Sequence, residues 1–396
     1  MSHAGRRGTV TLALFRAASG ALVYTYVGFP ALVFLRGLLA PRGHRGGEIT
    51  PPVSLVIAAH NEAETIGEKL ENLLTMDYGP FETIVASDGS DDGTDDIVRR
   101  YSSAGVRLLS LPRTGKAGAL NAAVAAASND IVVFSDANSI YAADALRALV
   151  RPLADPRVGG VVGNQRNLRE PGAGAIAVGE QRYWDFDRLL KQAQSRAGNA
   201  ISATGAIYAV RRELIDPIPE GVTDDFFTST GVIARGRRLV FAADAVAYEP
   251  VASTGGAEFG RKVRVMTRGL CAVMARRELL NPRRHGFYAL QLLSHKILRR
   301  LMAFPLVALA ATTPLLWRRG WFYRAATVGQ AVFYGLAGLG LVRPGDARGW
   351  RRVVALPSYF CMVNAASLRA VYNVVRGRRI NRWEPQRTAV AAPDGQ

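Results

Sequence analysis

Cysteine is nearly absent from this 396-residue chain: Cys271 and Cys361 are its two examples, ninety residues apart. That spacing excludes a disulfide framework and a cysteine zinc site, and a reducing compartment is favoured. Histidine is scarce too, and His60, His285 and His295 are too scattered for a metal triad. Neither G-x-S-x-G nor H-E-x-x-H occurs, which leaves serine hydrolase and zinc protease chemistry without support. Gly115-Lys116 has no glycine five positions before it and Ala117 where Ser or Thr is required, so a Walker A loop fails. Gly172-x-Gly-x-x-Ala177 follows Glu170-Pro171 rather than a strand, which removes the dinucleotide fingerprint.

Acid is scarce only in places. Residues 1–47 hold six basic and no acidic side chains and residues 281–396 hold 18 and 3, whereas residues 48–280 hold 26 and 29. The formal net charge of +18 therefore comes from the two flanks. The same flanks carry long uncharged runs: 19 residues over 17–35, 17 over 301–317, 18 over 325–342 and 16 over 353–368. A bilayer core takes about 20 apolar residues, with about 17 as the lower limit, so the first three are long enough to span and the fourth is marginal. Arginines packed between them, such as Arg299, Arg300, Arg318, Arg319, Arg351 and Arg352, read as lipid headgroup contacts and not as a nucleic-acid footprint. Arg6 and Arg7 precede the first run as in a signal peptide, but Arg16 interrupts the approach and no small-residue cleavage site follows, so a retained anchor is expected.

The middle of the chain has a different rhythm. After Pro51-Pro52, an apolar run over 53–59 precedes a helical pattern over 62–76 with Ile66, Leu70, Leu73 and Leu74 on one face. Strand and helix then alternate: 81–87 with 95–101, 106–111 with 117–127, and 131–135 with 142–153. Such alternation predicts a parallel sheet covered on both faces, with ligands bound beyond the carboxyl ends of the strands. The loops at those ends are His60-Asn61-Glu62, the acid-rich 88–94, Arg113 to Lys116, and Asp136-Ala137-Asn138. A solvated turn with Thr94 as N-cap would explain every residue after Gly93 and, for that segment taken alone, is the stronger reading. Asp136 and Asn138 place two oxygen donors two residues apart after a buried strand, which suits a hard cation shared with phosphate oxygens, although an N-cap turn is the competing reading. Thr223-Asp224-Asp225 is likewise either a catalytic acid pair or a helix start.

Taken together, residues 53–62, 86–94, 115–121 and 134–138 resemble the nucleotide-sugar half of a family 2 glycosyltransferase of the GT-A fold. The resemblance continues through Thr204 to Arg211, Thr223 to Asp225 and Arg261 to Arg264, about 220 residues in all. It implies an α/β GT-A domain inserted between N-terminal and C-terminal transmembrane helices: an anchor over 1–47, a cytoplasmic catalytic domain over 48–255, amphipathic interfacial helices over 256–300, transmembrane segments over 301–380 and a tail over 381–396. It also implies that Ala59, Glu62 and Asp88 contact the nucleoside and that Lys116 lies near the diphosphate. Asp136 and Asn138 take the D-x-D position and hold Mg²⁺ or Mn²⁺, with Asn138 contributing an amide oxygen and no charge. Asp225 becomes the general base of an inverting transfer, and Arg264 binds the leaving diphosphate. Val265 and Arg261 depart from the Q-x-x-R-W of processive members, which favours single transfer over polymerisation.

The implied partners are a nucleotide-sugar donor, a UDP-sugar first, a lipid-linked or glycan acceptor, and membrane lipids; nucleic acid is not expected. The implied setting is the inner cell membrane. A catalytically inactive scaffold that keeps the fold is the alternative. A cytoplasmic catalytic domain and an arginine-rich cytoplasmic tail (Arg376, Arg378, Arg379, Arg382, Arg387) together demand an even number of later crossings. That is met if one C-terminal run, 353–368 being the shortest, re-enters or lies in the interface.

Overall fold

All seven residues of β1, Val53–Ala59, are buried, as befits an interior strand of a sheet covered on both faces. A computed structural model describes residues 3–167, 175–249, 255–342 and 351–378. The tail expected over 381–396, with Arg379, Arg382 and Arg387, lies outside the described residues, as does the run from Arg169 to Pro171. The described residues divide into two compact units, one within residues 44–169 and 202–258, the other within residues 1–43, 170–201 and 259–380.

The first unit holds one sheet. Its strands are β1, β2 (Phe81–Asp88), β3 (Val106–Leu111), β4 (Ile131–Ser135), β5 (Ile140–Tyr141), β6 (Val158–Asn167), β7 (Tyr208–Arg211) and β8 (Arg238–Glu249). They lie in the order β3-β2-β1-β4-β7-β6-β8-β5. The first four strands fall where the periodicity predicts, with β2 one residue longer, and they pair in parallel. Beyond β4, where the strand-helix alternation read from the sequence ends, the sheet becomes mixed. β7 runs antiparallel to β4, β6 antiparallel to β7, β8 parallel to β6, and β5 antiparallel to β8. The join is made by side chains as well as by the ladder: Phe134 and Tyr208 are register partners and stack with ring centroids 4.6 Å apart and planes 4° from parallel.

Three of the four helices are shorter than the sequence pattern, while the third starts two residues earlier than expected and ends one earlier. They cover Ile66–Leu74, Thr94–Arg99, Gly115–Ala126 and Ala145–Val150, the last continuing as a 3₁₀ turn over Arg151–Ala154. Residues 60–65 stay in a loop in which Asn61 has φ 55, a left-handed conformation that Asn tolerates better than most residues. Leu55, Ile57, Ile66, Leu70, Leu73, Val133, Leu146 and Leu149 belong to one apolar cluster, so the sheet and its covering helices share a core.

The second unit is helical. Helix Phe29–Leu39 packs on helix Ala175–Ala197 through Phe29, Val33, Leu190 and Ala193. A side-chain carbon at Gly37 would lie 3.1 Å from Ala193 O, so the two backbones are close. Among the described residues, three helical stretches are long and apolar enough to cross a membrane: Gly8–Leu39, Trp321–Val342 and Val353–Val375. The run expected over 301–317 does not form one straight helix. It is the second arm of a pair, Phe287–Leu301 and Ala303–Leu315, bent by 49°. The break therefore falls at Met302, and the run over 353–368 lies within a continuous helix, Arg351–Val375.

Ile57→Ala, at a position with no exposed surface, is expected to destabilise the sheet unit by about 2–5 kcal/mol. Thermal unfolding of the purified chain, wild type against variant, measures it.

Candidate active site

The carboxyl ends of β1, β2 and β4 share one edge because those strands are parallel neighbours. The loop after β1 is tied to the loop after β2. Asn61 N donates to Ser90 Oγ at 3.1 Å, Asp91 N to Asn61 Oδ1 at 3.0 Å, Glu62 N to Thr94 Oγ1 at 2.9 Å and Ala63 N to Asp92 Oδ2 at 3.1 Å. Much of the acid-rich run thus joins two loops. Thr94 is not the N-cap; Gly93 is, in a left-handed conformation, and the Thr94 hydroxyl donates to Asp92 Oδ1 at 2.5 Å. The Glu62 carboxyl accepts from Thr65 Oγ1 at 2.8 Å, and burial raises its pKa against that bond, with Asp136 adding to the rise. Ala59 ends β1 with no exposed surface.

Asp88 closes β2 and is fully buried. Its Oδ1 accepts from Thr114 N at 2.6 Å and Gly115 N at 2.9 Å, and its Oδ2 from Arg113 Nη1 at 3.0 Å. The carboxylate sits at the amino end of helix Gly115–Ala126, where unpaired N–H groups and the helix dipole favour it. Gly89, at φ +62, lets Arg113 pass: a side-chain carbon there would meet Arg113 N at 3.1 Å. Asp88 therefore fixes the loop that presents Lys116.

Lys116 is the meeting point. Its Nζ lies 2.7 Å from Asp136 Oδ1 and 3.4 Å from Asp224 Oδ2. Burial works against its charge, but Asp136 and Asp224, with Asp225 beyond them, outweigh that and raise its pKa. Helix Asp224–Ala234 starts at the acid pair, and Asp225 Oδ1 accepts from Phe226 N at 2.6 Å. Thr223 holds the cap position but makes no capping bond, and its hydroxyl is buried without a hydrogen-bond partner. The helix-start reading thus holds in part, since Asp225 bonds a main-chain N–H of the first turn while the acid pair also faces Lys116. The fold brings Asp136, Lys116 and Asp224–Asp225 together from segments 20 and about 90 residues apart.

Two residues here carry no role in the sequence reading. Asp224 was grouped with its neighbour, yet it is the second carboxylate on Lys116. Gly205 packs against the Asp136 carboxylate so closely that any side-chain carbon would collide with it, coming within 2.9 Å of Cγ. Its signal was the Thr204-Gly205 step inside a motif, with nothing to say which residue needs the space. Asn138 stands two residues beyond Asp136 and is half-buried. Asp136 and Asn138 offer a carboxylate and an amide oxygen, a hard donor pair that fits Mg²⁺ or Mn²⁺ completed by phosphate and water oxygens. Arg264 lies in the other unit, on helix Gly255–Ala275.

A mixed sheet whose parallel half carries acidic loops and a lysine at its carboxyl edge defines a nucleotide-diphospho-sugar transferase architecture of the GT-A type. The chain belongs to the glycosyltransferase-like family 2, whose model matches residues 51–272. It is 26% identical over 219 residues to the poly-β-1,6-N-acetyl-D-glucosamine synthase of Staphylococcus aureus strain COL, covering 54% of this chain and 53% of that protein. The Staphylococcus epidermidis synthase is 27% identical over 194 residues, covering 48% of this chain and 46% of that one. The chain thus spans about half the length of the curated relatives it matches. Among solved structures it resembles the mannosyltransferase PcManGT from Pyrobaculum calidifontis, in complex with GDP-Man and Mn²⁺, at 26% identity and a TM-score of 0.68, covering 91% of this chain and 98% of that one.

Gly205→Ala is expected to push the Asp136 carboxylate aside. Nucleoside diphosphate binding measured by calorimetry should lose its dependence on Mn²⁺ while the far-ultraviolet circular dichroism stays as in wild type.

Proposed function

We propose that the chain is an inverting glycosyltransferase that moves a sugar from a nucleotide diphosphate, a UDP-sugar first, to a membrane-associated acceptor in lipid-linked or surface polysaccharide synthesis. The observation that carries this reading is the convergence of Asp136 and Asp224 on the Lys116 ammonium. The loop after β4 and the acid pair of helix Asp224–Ala234 face one charge, so a donor held at the first has a carboxylate waiting at the second. The synthases and the GDP-Man-bound mannosyltransferase to which the chain is similar support a nucleotide-sugar donor and a divalent cation.

In the proposed reaction the acceptor hydroxyl oxygen attacks the anomeric carbon in line with the bond from that carbon to the diphosphate oxygen. That bond breaks and its electron pair leaves with the nucleoside diphosphate. Asp225 takes the hydroxyl proton. Lys116 holds Asp136 in place and presents positive charge toward the diphosphate, and Ala59, Glu62 and Asp88 shape the nucleoside end, Asp88 through the Arg113 loop that it fixes. Mg²⁺ or Mn²⁺, when bound by Asp136 and Asn138, neutralises charge on the leaving diphosphate. Arg264 is assigned to the same diphosphate on its motif, since a guanidinium fork matches phosphate oxygens. The catalytic domain is assigned to the cytoplasm, where sugar nucleotides are made, and the chain to the cell membrane as a multi-pass protein anchored by its long apolar helices.

Calorimetry with UDP, GDP and dTDP on detergent-purified protein, in Mn²⁺ and in chelator, is the test. One diphosphate should bind in a metal-dependent manner and lose that dependence in Asp136→Ala. Folded protein that binds none of the three would leave the fold as a scaffold and remove the transferase reading. With the donor so identified, Asp225→Asn should lower kcat by about 10²–10⁴-fold while donor affinity stays within a factor of about two of wild type.

A further inference from the structure

Helix Ile66–Leu74 carries a charge where its spacing calls for an apolar side chain. Ile66, Leu70 and Leu73 are buried on the face that joins the core, and Lys69, three residues after Ile66 and four before Leu73, shares that face with 0% of its surface exposed. A buried ammonium is strongly disfavoured unless it is bonded. Lys69 Nζ donates to Ser139 O at 2.6 Å and lies 3.5 Å from the centroid of the Tyr141 ring, within cation–π range. Burial holds its pKa well below the usual lysine range against the pull of Asp136 and Glu249.

One turn further along, Asn72 takes both main-chain groups of Tyr141. Its Nδ2 donates to Tyr141 O at 2.9 Å and its Oδ1 accepts from Tyr141 N at 2.7 Å. From another side, Ser139 Oγ donates to Glu249 Oε1 at 2.7 Å, and Glu249 Oε2 accepts from Gln165 Nε2 at 2.5 Å. The backbone directly after Asp136 and Asn138 is therefore gripped at Ser139 and again at Tyr141. A leucine or methionine at position 69 would fill the same space without desolvating a charge, and what the lysine adds is its bond to the loop.

We infer that Lys69 and Asn72 are positioning residues for the Asp136–Asn138 loop. They hold residues 139–141 so that both oxygen donors keep their place at the sheet edge when a divalent cation and a nucleoside diphosphate bind. The inference rests on the donor-site reading above. Partners that orient a metal-binding group typically account for about 10–100-fold in metal affinity.

The test uses the full-length, detergent-purified chain as wild type, Lys69→Met and Asn72→Ala. Each is titrated with Mn²⁺, followed by electron paramagnetic resonance of the free ion, in the presence of whichever of UDP, GDP or dTDP wild type binds. Binding of that diphosphate in chelator and the thermal unfolding midpoint are measured alongside. Both variants should bind Mn²⁺ about 10–100-fold more weakly, with diphosphate binding in chelator unchanged. If Lys69→Met does not fold, Asn72→Ala decides alone, since it removes two bonds from a half-buried side chain. Unchanged Mn²⁺ affinity in folded Asn72→Ala overturns the inference, as does diphosphate binding weakened equally in chelator and in Mn²⁺, because either result is what a purely structural role gives. A wild type that binds no diphosphate overturns the donor-site reading and this inference with it.

Discussion

The ammonium of Lys116, shared between Asp136 and Asp224, is the interaction on which the sheet-edge site depends. Two carboxylates brought near each other in a partly buried edge repel. The lysine offsets that repulsion with a positive charge that both contact. Its own placement is inherited: Asp88 anchors the amino end of helix Gly115–Ala126, Arg113 folds over Gly89, and Lys116 follows within the first turn. A fully buried carboxylate at the end of β2 is thereby coupled to the charge balance at the end of β4.

The same edge shows how the fold spends its polar groups. The Asp92 carboxylate ties the loop after β2 to Ala63 N in the loop after β1 and to its own neighbour Thr94 N, and Asp91 joins the two loops through its main-chain N–H. Asp136 and the pair at 224–225 are left facing an ammonium. A cation and a diphosphate entering there exchange one set of charge contacts for another without exposing a bare acid to an apolar wall, which is how a site can accept a highly charged leaving group and release it again.

The helical unit follows a different logic. Long apolar faces on Trp321–Val342 and Val353–Val375, and the close approach of Gly37 to Ala193, belong to helices that pack by shape. Polar groups are confined there to small buried sets: Asp187 pairs with Lys191 at 3.2 Å, and Gln194 meets His295 at 3.0 Å. Charge in such surroundings persists when it is paired.

Local order was legible in the chain. The strands over 53–59, 106–111 and 131–135, the helices between them and the loops bearing Glu62, Asp88, Lys116 and Asp136 all follow from periodicity and turn residues, because burial of one face repeats with the period of the element itself. Strand order was not legible beyond β4, since an antiparallel β7 is chosen by the stacking of Phe134 on Tyr208 and not by any pattern within 208–211. Nor was the bend at Met302, which interrupts a run that composition reads as continuous. Lys69 left a trace, a lysine on an apolar face, but its meaning required knowing that Ser139 O lies beneath it. Gly205 left none. The residue types that carry charge and oxygen donors were therefore determined by the sequence by itself. Which of them share a charge, which are spent on holding loops and which glycine must stay bare were decided by tertiary structure, because those depend on neighbours that only strand order and register bring within a few ångströms.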